Sequence, residues 1–110
     1  DASDVWVAGY KTESWPTDFI AINGARLEVM GGVSNHYGDG TWPQEPPVYV
    51  DIDSQISVSF VTSGPDLEAK SPEDMIRETR GGLTRALDRS EVILRPDLNR
   101  IVPLYIGFPE

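Results

Sequence analysis

The stretch SPEDMIRETRGGLTRALDRS, residues 71–90, decides how the rest of the chain is read. Ser71 is a good helix N-cap and Pro72 suits the first helical position. Glu73 and Asp74 favour the positive end of a helix dipole. Met75, Thr79, Leu83 and either Ala86 or Leu87 then fall on one helical stripe. Gly81-Gly82 interrupts that stripe, at about 1 kcal/mol each relative to alanine. The pattern predicts a helix that is kinked or broken there, over Pro72–Arg80 and Leu83–Ser90. Arg77, Arg80, Arg85 and Arg89, interleaved with Glu73, Asp74, Glu78 and Asp88, then read as its charge-laced solvent face.

Outward from this segment the signals are those of strands. VWVAGY (Val5–Tyr10) is β-branched and aromatic. In DFIAINGARLEVM, Asn23-Gly24 accepts the positive φ values of a tight turn, which predicts a β-hairpin of Phe19–Ile22 with Ala25–Met30. In VYVDIDSQISVSFV, Val48, Val50, Ile52, Ile56, Val58 and Phe60 share one parity, with Asp51, Asp53, Gln55, Ser57 and Ser59 on the other. This is one bent strand, or two strands split near Asp53-Ser54. EVILRPDLNR holds a short strand and RIVPLYIGF a last one, in which Pro103 points to an edge or a bulge. No internal repeat is apparent. The expected fold is a single α+β domain over residues 1–110, an antiparallel β-sheet with one helix packed on one face.

The composition bounds the function. The 110 residues are 39% apolar with no cysteine, so there is no disulfide framework and no thiol nucleophile. No apolar run reaches the ~18 residues of a membrane-spanning helix. The net charge of −9 is lopsided: residues 1–69 carry two cations against eleven acids, and residues 70–110 carry seven of each. A nucleic-acid partner is disfavoured, because affinity there comes from Lys and Arg on phosphates. A protein partner with a basic surface is favoured by faster encounter.

GGVSNHYGDGTWPQEPP, residues 31–47, lacks periodicity and is long for a connection inside one domain. Its rigid aromatics and three prolines suggest an ordered binding loop. The candidate partner-binding residues are Tyr37, Asp39, Trp42 and Glu45, with Asp51 and Asp53 as an adjoining acidic pair on one strand face. Tyr37 and Trp42 folding back onto the core is the alternative. His36 near Asp39 lacks the further ligands of a zinc or calcium site, and no serine elbow or phosphate cradle is present. Neither a catalytic residue, a metal nor a cofactor is expected.

VAGYKTES, FIAINGA, GGVSN and PPVYVDIDSQISVSF together resemble small Gram-negative envelope lipoproteins, some of which are immunity proteins against type VI secretion effectors. That resemblance implies a periplasmic or cell-envelope location and a lipid anchor preceding Asp1. The opening DASD also looks like the trimmed end of a longer precursor. The leading expectation is a non-enzymatic inhibitor or immunity protein that blocks a toxin or enzyme partner. The alternatives are a carbohydrate-binding β module using Trp42, Tyr37 and Trp15, and a small metal-dependent enzyme using His36 and Asp39.

Overall fold

A computed structural model describes residues 3–12, 17–35, 47–64, 74–94 and 100–108. Among these, nine strands follow in chain order: β1 (Asp4–Thr12), β2 (Phe19–Ala21), β3 (Arg26–Asn35), β4 (Tyr49–Ile52), β5 (Gln55–Gly64), β6 (Asp74–Arg80), β7 (Leu83–Asp88), β8 (Ile93–Leu94) and β9 (Arg100–Ile106). They form two mixed sheets. Sheet A runs β1-β3-β5-β9-β8 and sheet B runs β2-β4-β6-β7.

The α+β expectation is therefore corrected: among the described residues no α-helix packs on either sheet. Residues 74–88 form a β-hairpin instead. Met75, Ile76 and Glu78 are buried while Arg77 and Thr79 reach the surface, a period of two from Ile76 onward. Gly81 and Gly82 take φ of 55° and 83°, the left-handed pair that a two-residue hairpin turn requires. Helix propensity is a weak prior, and burying Ile76 and Glu78 between two sheets outweighs it. One 3-10 turn, Arg89–Glu91, does carry a capping box. It is built by Asp88, which accepts from Ser90 N at 2.9 Å while Glu91 accepts from Asp88 N at 3.1 Å.

The Asn23-Gly24 turn forms, with both φ positive and Ala25 N donating to Ile22 O at 3.2 Å. It does not close a hairpin. β2 pairs parallel with β4, while β3 pairs parallel with both β1 and β5. The turn hands the chain from sheet B to sheet A. A second turn at Asp53-Ser54 does the same between β4 and β5. Three successive coils thus stack as β1–β2, β3–β4 and β5–β6, a repeat that the sequence reading did not find. The turns stack with them: Gly24 N donates to Ser54 Oγ at 3.1 Å, Asp53 N to Thr79 O at 2.7 Å and Gly81 N to Asp53 Oδ1 at 2.9 Å.

The repeat becomes legible once the register is known. Ala8, Met30, Ser59 and Leu104 lie side by side across sheet A, as do Tyr10, Gly32, Val61 and Val102. Between these two rungs lie Gly9, Gly31, Phe60 and Pro103, for which no bridge forms. Gly9, Gly31 and Phe60 all have positive φ there. Four strands therefore bend at one level without losing register. The bend adds one outward residue to each strand and flips parity, so Ile56 and Val58 point inward before it and Val61 and Ser63 after it. Phe60, expected on the apolar inner side with Val58, points out. So does Ile52, because Tyr49 and Asp51 take the inner positions of β4. Pro103 costs no ladder bond at this level.

The core between the sheets is Leu27, Val29, Ile56, Val58, Val61 and Val102 from sheet A against Ala21, Tyr49, Met75 and Ile76 from sheet B. At one end Tyr10 lies across Gly32, leaving no room for a Cβ. Gly32→Ala forces the ring aside at a site where φ is ordinary. We expect a stability loss of about 1–3 kcal/mol by denaturant titration; a loss under about 0.5 kcal/mol would show that the ring has room to move.

Candidate functional site

Two features stand out: a buried carboxyl cluster between the sheets, and the outer face of sheet A above it. The cluster starts from the register of sheet B. Ala21, Asp51 and Glu78 are neighbours across β2, β4 and β6, all facing inward. Glu78 is 0% exposed and Asp51 1%. The sequence reading placed Asp51 and Asp53 together on a wet face. The structure separates them, because Asp53 leaves the strand with φ 49° and stands exposed in the turn. Asp51 therefore belongs to no partner-facing surface.

Glu78 is held by donors from both sheets. Tyr105 Oη donates to its Oε1, as does Arg85 Nε at 3.1 Å, and Phe108 N donates to Oε2 at 3.1 Å. Arg85 also donates to Ile106 O at 2.8 Å, and its guanidinium lies over the Phe108 ring, 4.5 Å from the centroid. Far from lining a helix face, Arg85 clamps the edge of sheet B to β9. A Cβ on Gly107 would collide with the Glu78 carboxylate and with Ile56 O.

The two carboxyls are buried side by side, so their titrations are coupled. Burial pushes the Asp51 carboxyl up to about 7, with the hydrogen bond to Glu78 and repulsion from it adding to the rise; Arg80 and the Ser54 backbone pull the other way. Burial also pushes Glu78 up, but hydrogen bonds from Asp51, Tyr105, Phe108 N and Arg85 outweigh it, so its pKa falls. Asp51 is thus pushed toward the protonated form and Glu78 toward the charged one. Among the described residues Asp51 Oδ1 has no hydrogen-bond partner. Neither carboxyl reaches solvent, and the hydrogen bonds to Glu78 tie the two sheets together. At the far end of the core, Tyr10 donates to Asp18 Oδ2 at 3.0 Å and Tyr49 donates to Tyr10. Burial raises both phenols, and Thr12 completes the group by donating to Asp18 Oδ1 at 3.0 Å.

The outer face of sheet A is mixed, with large apolar side chains standing among polar ones such as Arg26, Glu28, Gln55 and Ser57. Trp6, Met30, Phe60, Leu104 and Ile106 are all exposed there. Parallel strands such as β1, β3 and β5 ordinarily have both faces covered. Phe60 is the sharpest feature. Its φ of 49° places a bulky residue in the left-handed region, where the equivalent positions of the other two coils hold Gly9 and Gly31. It is nevertheless 73% exposed, so little packing offsets the strain. At the start of β1, β3 and β5 lies a cleft of about 400 Å³, lined by outward residues such as Trp6, Glu28 and Ile106 and reaching the core residues Leu27 and Ile56.

His36, Tyr37, Asp39, Trp42 and Glu45, together with Trp15, lie outside the described residues. Among the described residues no cluster of three metal-ligating side chains occurs. Nor, among the described residues, is any helix long and apolar enough to cross a membrane. Missed in the sequence were Glu78, Arg85 and Tyr105, whose meeting depends on the fold, and Phe60, which aligning AGY, MGG and SFV would have flagged. No family model, curated protein or solved structure matches the chain.

The upward shift at Asp51 has a thermodynamic consequence. Its carboxyl binds a proton more tightly in the folded chain than in the unfolded one, where the pKa is ~3.9. Between these values the native state holds the extra proton, so stability falls as pH rises, by up to ~1.4 kcal/mol per unit until about pH 7. Asp51→Asn keeps the shape and supplies a permanent N–H donor to Glu78. We expect it to flatten that slope and to melt above wild type at pH 8; a wild-type melting temperature constant from pH 5 to 8 would contradict the raised Asp51 pKa.

Proposed function

We propose that this chain is a non-enzymatic binding protein that docks a protein partner through the outer face of sheet A, with Phe60 as the anchor. The observation that carries this reading is the strained Phe60. A left-handed phenylalanine costs roughly 1–2 kcal/mol, and glycine would relieve that cost, as it does at the two equivalent positions. An exposed residue retained against its own stability is a candidate for function. A projecting aromatic ring among flanking apolar side chains is the usual anatomy of an interface hot spot.

The partner's chemistry follows from charge. The chain carries −9, concentrated in residues 1–69, which supply β1 to β5. A partner with a positive rim around an apolar pocket fits both the ring and the surrounding field. An inhibitor or immunity protein that covers a toxin or enzyme is the specific form of this proposal.

Phe60→Gly separates anchor from strut. A structural residue loses stability when removed. Phe60→Gly is expected instead to gain about 0.5–1 kcal/mol in denaturant titration, the relief of φ strain less the added chain entropy. In parallel affinity capture from the native source, a protein retained by wild type is expected to be lost, or bound at least about tenfold more weakly, by Phe60→Gly. Identical retention by the two forms would overturn the proposal.

A further inference from the structure

The cleft beside Trp6 has a chemistry of its own, distinct from the Phe60 anchor. Two rungs of sheet A set out its floor. Asp4, Arg26 and Gln55 are neighbours on the first, and Trp6, Glu28, Ser57 and Ile106 on the second. Adjacent strands are ~4.8 Å apart and alternate outward residues ~6.7 Å apart along a strand. Six polar or aromatic side chains thus stand on a regular grid, and all of them line the cleft.

Trp6 is 66% exposed, a broad plate at the edge of this grid. The polar positions alternate donor and acceptor: carboxylates on Asp4 and Glu28, a guanidinium on Arg26, an amide on Gln55 and a hydroxyl on Ser57. Asp4 and Arg26 are 3.9 Å apart, so the single cation of the grid is already faced by a carboxylate. That pairing and the second acid on Glu28 disfavour phosphate or carboxylate ligands. Val5, Leu27, Ile56, Ile106 and Phe108 also line the cleft, so a ligand meets an apolar side as well as the polar groups, and a purely apolar one would displace water from those groups without replacing its hydrogen bonds. What remains is a neutral ligand with one apolar face and a rim of groups that both donate and accept. A pyranose ring has that form: its axial C–H face lies against an indole, and its hydroxyls each donate one hydrogen bond and accept two. The volume of about 400 Å³ lies within the range of small-molecule sites.

We propose that the Trp6 cleft is a binding subsite for a neutral saccharide, with Trp6 as the stacking plate and Arg26, Glu28, Gln55 and Ser57 as the hydroxyl-recognising groups. This does not rest on the Phe60 docking surface, and it involves residues other than the loop aromatics Tyr37 and Trp42.

The test is a titration of the whole chain, labelled with nitrogen-15, with maltose, cellobiose, lactose and N,N′-diacetylchitobiose. The indole N–H of Trp6, assigned from its loss in Trp6→Ala, is the reporter. At least one of these sugars is expected to shift that resonance saturably. Backbone shifts at residues 55–57 are expected to accompany it and to weaken about tenfold or more in Trp6→Ala and several-fold in Gln55→Ala. Both side chains lie toward the surface, so the variants are expected to fold, and an unchanged remainder of the spectrum checks this. Phe60→Gly is expected to bind the sugar as wild type does, which keeps this outcome separate from protein docking. Four flat titrations, saturable binding that survives Trp6→Ala, or stronger binding of adenosine monophosphate than of every sugar would each overturn the proposal.

Discussion

Glu78 is the constraint on which the rest of the molecule turns. A fully buried carboxylate is tolerable only when paired and hydrogen-bonded. Here the donors are Tyr105 from β9, Arg85 from β7, the Phe108 backbone and the Asp51 carboxyl from β4. Meeting that one charge therefore pins both sheets, the β6–β7 hairpin and the segment after β9 to a single arrangement. It also explains the small residues around it: Ala21 completes the rung beside Asp51, and Gly107 passes where any side chain would strike the carboxylate.

The second constraint is register. Three coils stack so that equivalent residues form rungs, and an irregularity in one coil has to be matched in its neighbours. The shared bend at Gly9, Gly31 and Phe60 is such a matched irregularity. In two coils glycine meets it without strain. In the third the chain places an aromatic ring on the surface at a conformational cost. The same register lays out the polar grid beside Trp6. Structure and proposed function thus share one origin: stacking fixes what each rung presents outward, and the inner carboxyl pair holds the stack in place.

Much of the strand content was legible in the sequence. The β-branched runs gave β1, β5 and β9, the positive-φ turn at Asn23-Gly24 is present, and the division near Asp53-Ser54 is a turn between two strands. Pro103 does sit where the ladder makes no bond. The candidate site was less legible. Of the six expected partner-binding residues, Asp51 lies inside and Asp53 in an exposed turn, while Tyr37, Asp39, Trp42 and Glu45 lie outside the described residues. Sequence spacing alone does not reveal that Asp53 leaves the strand, and a one-residue bend reverses every later inside–outside assignment.

Local chemistry in the sequence by itself determined where the chain is extended, where it turns and how its charge is distributed, because these depend on residues close together along the backbone. Only the tertiary structure decided which strands pair, that residues 74–88 are a hairpin rather than a helix, and that Asp51 and Glu78 are buried side by side. Helix and hairpin differ little in intrinsic preference over MIRETRGGLTRAL, so the choice falls to burial. Ile76 pairs with Tyr49, and Glu78 with Asp51, Tyr105 and the Phe108 backbone, the last of these 30 residues away in sequence. No periodicity within the segment carries that information.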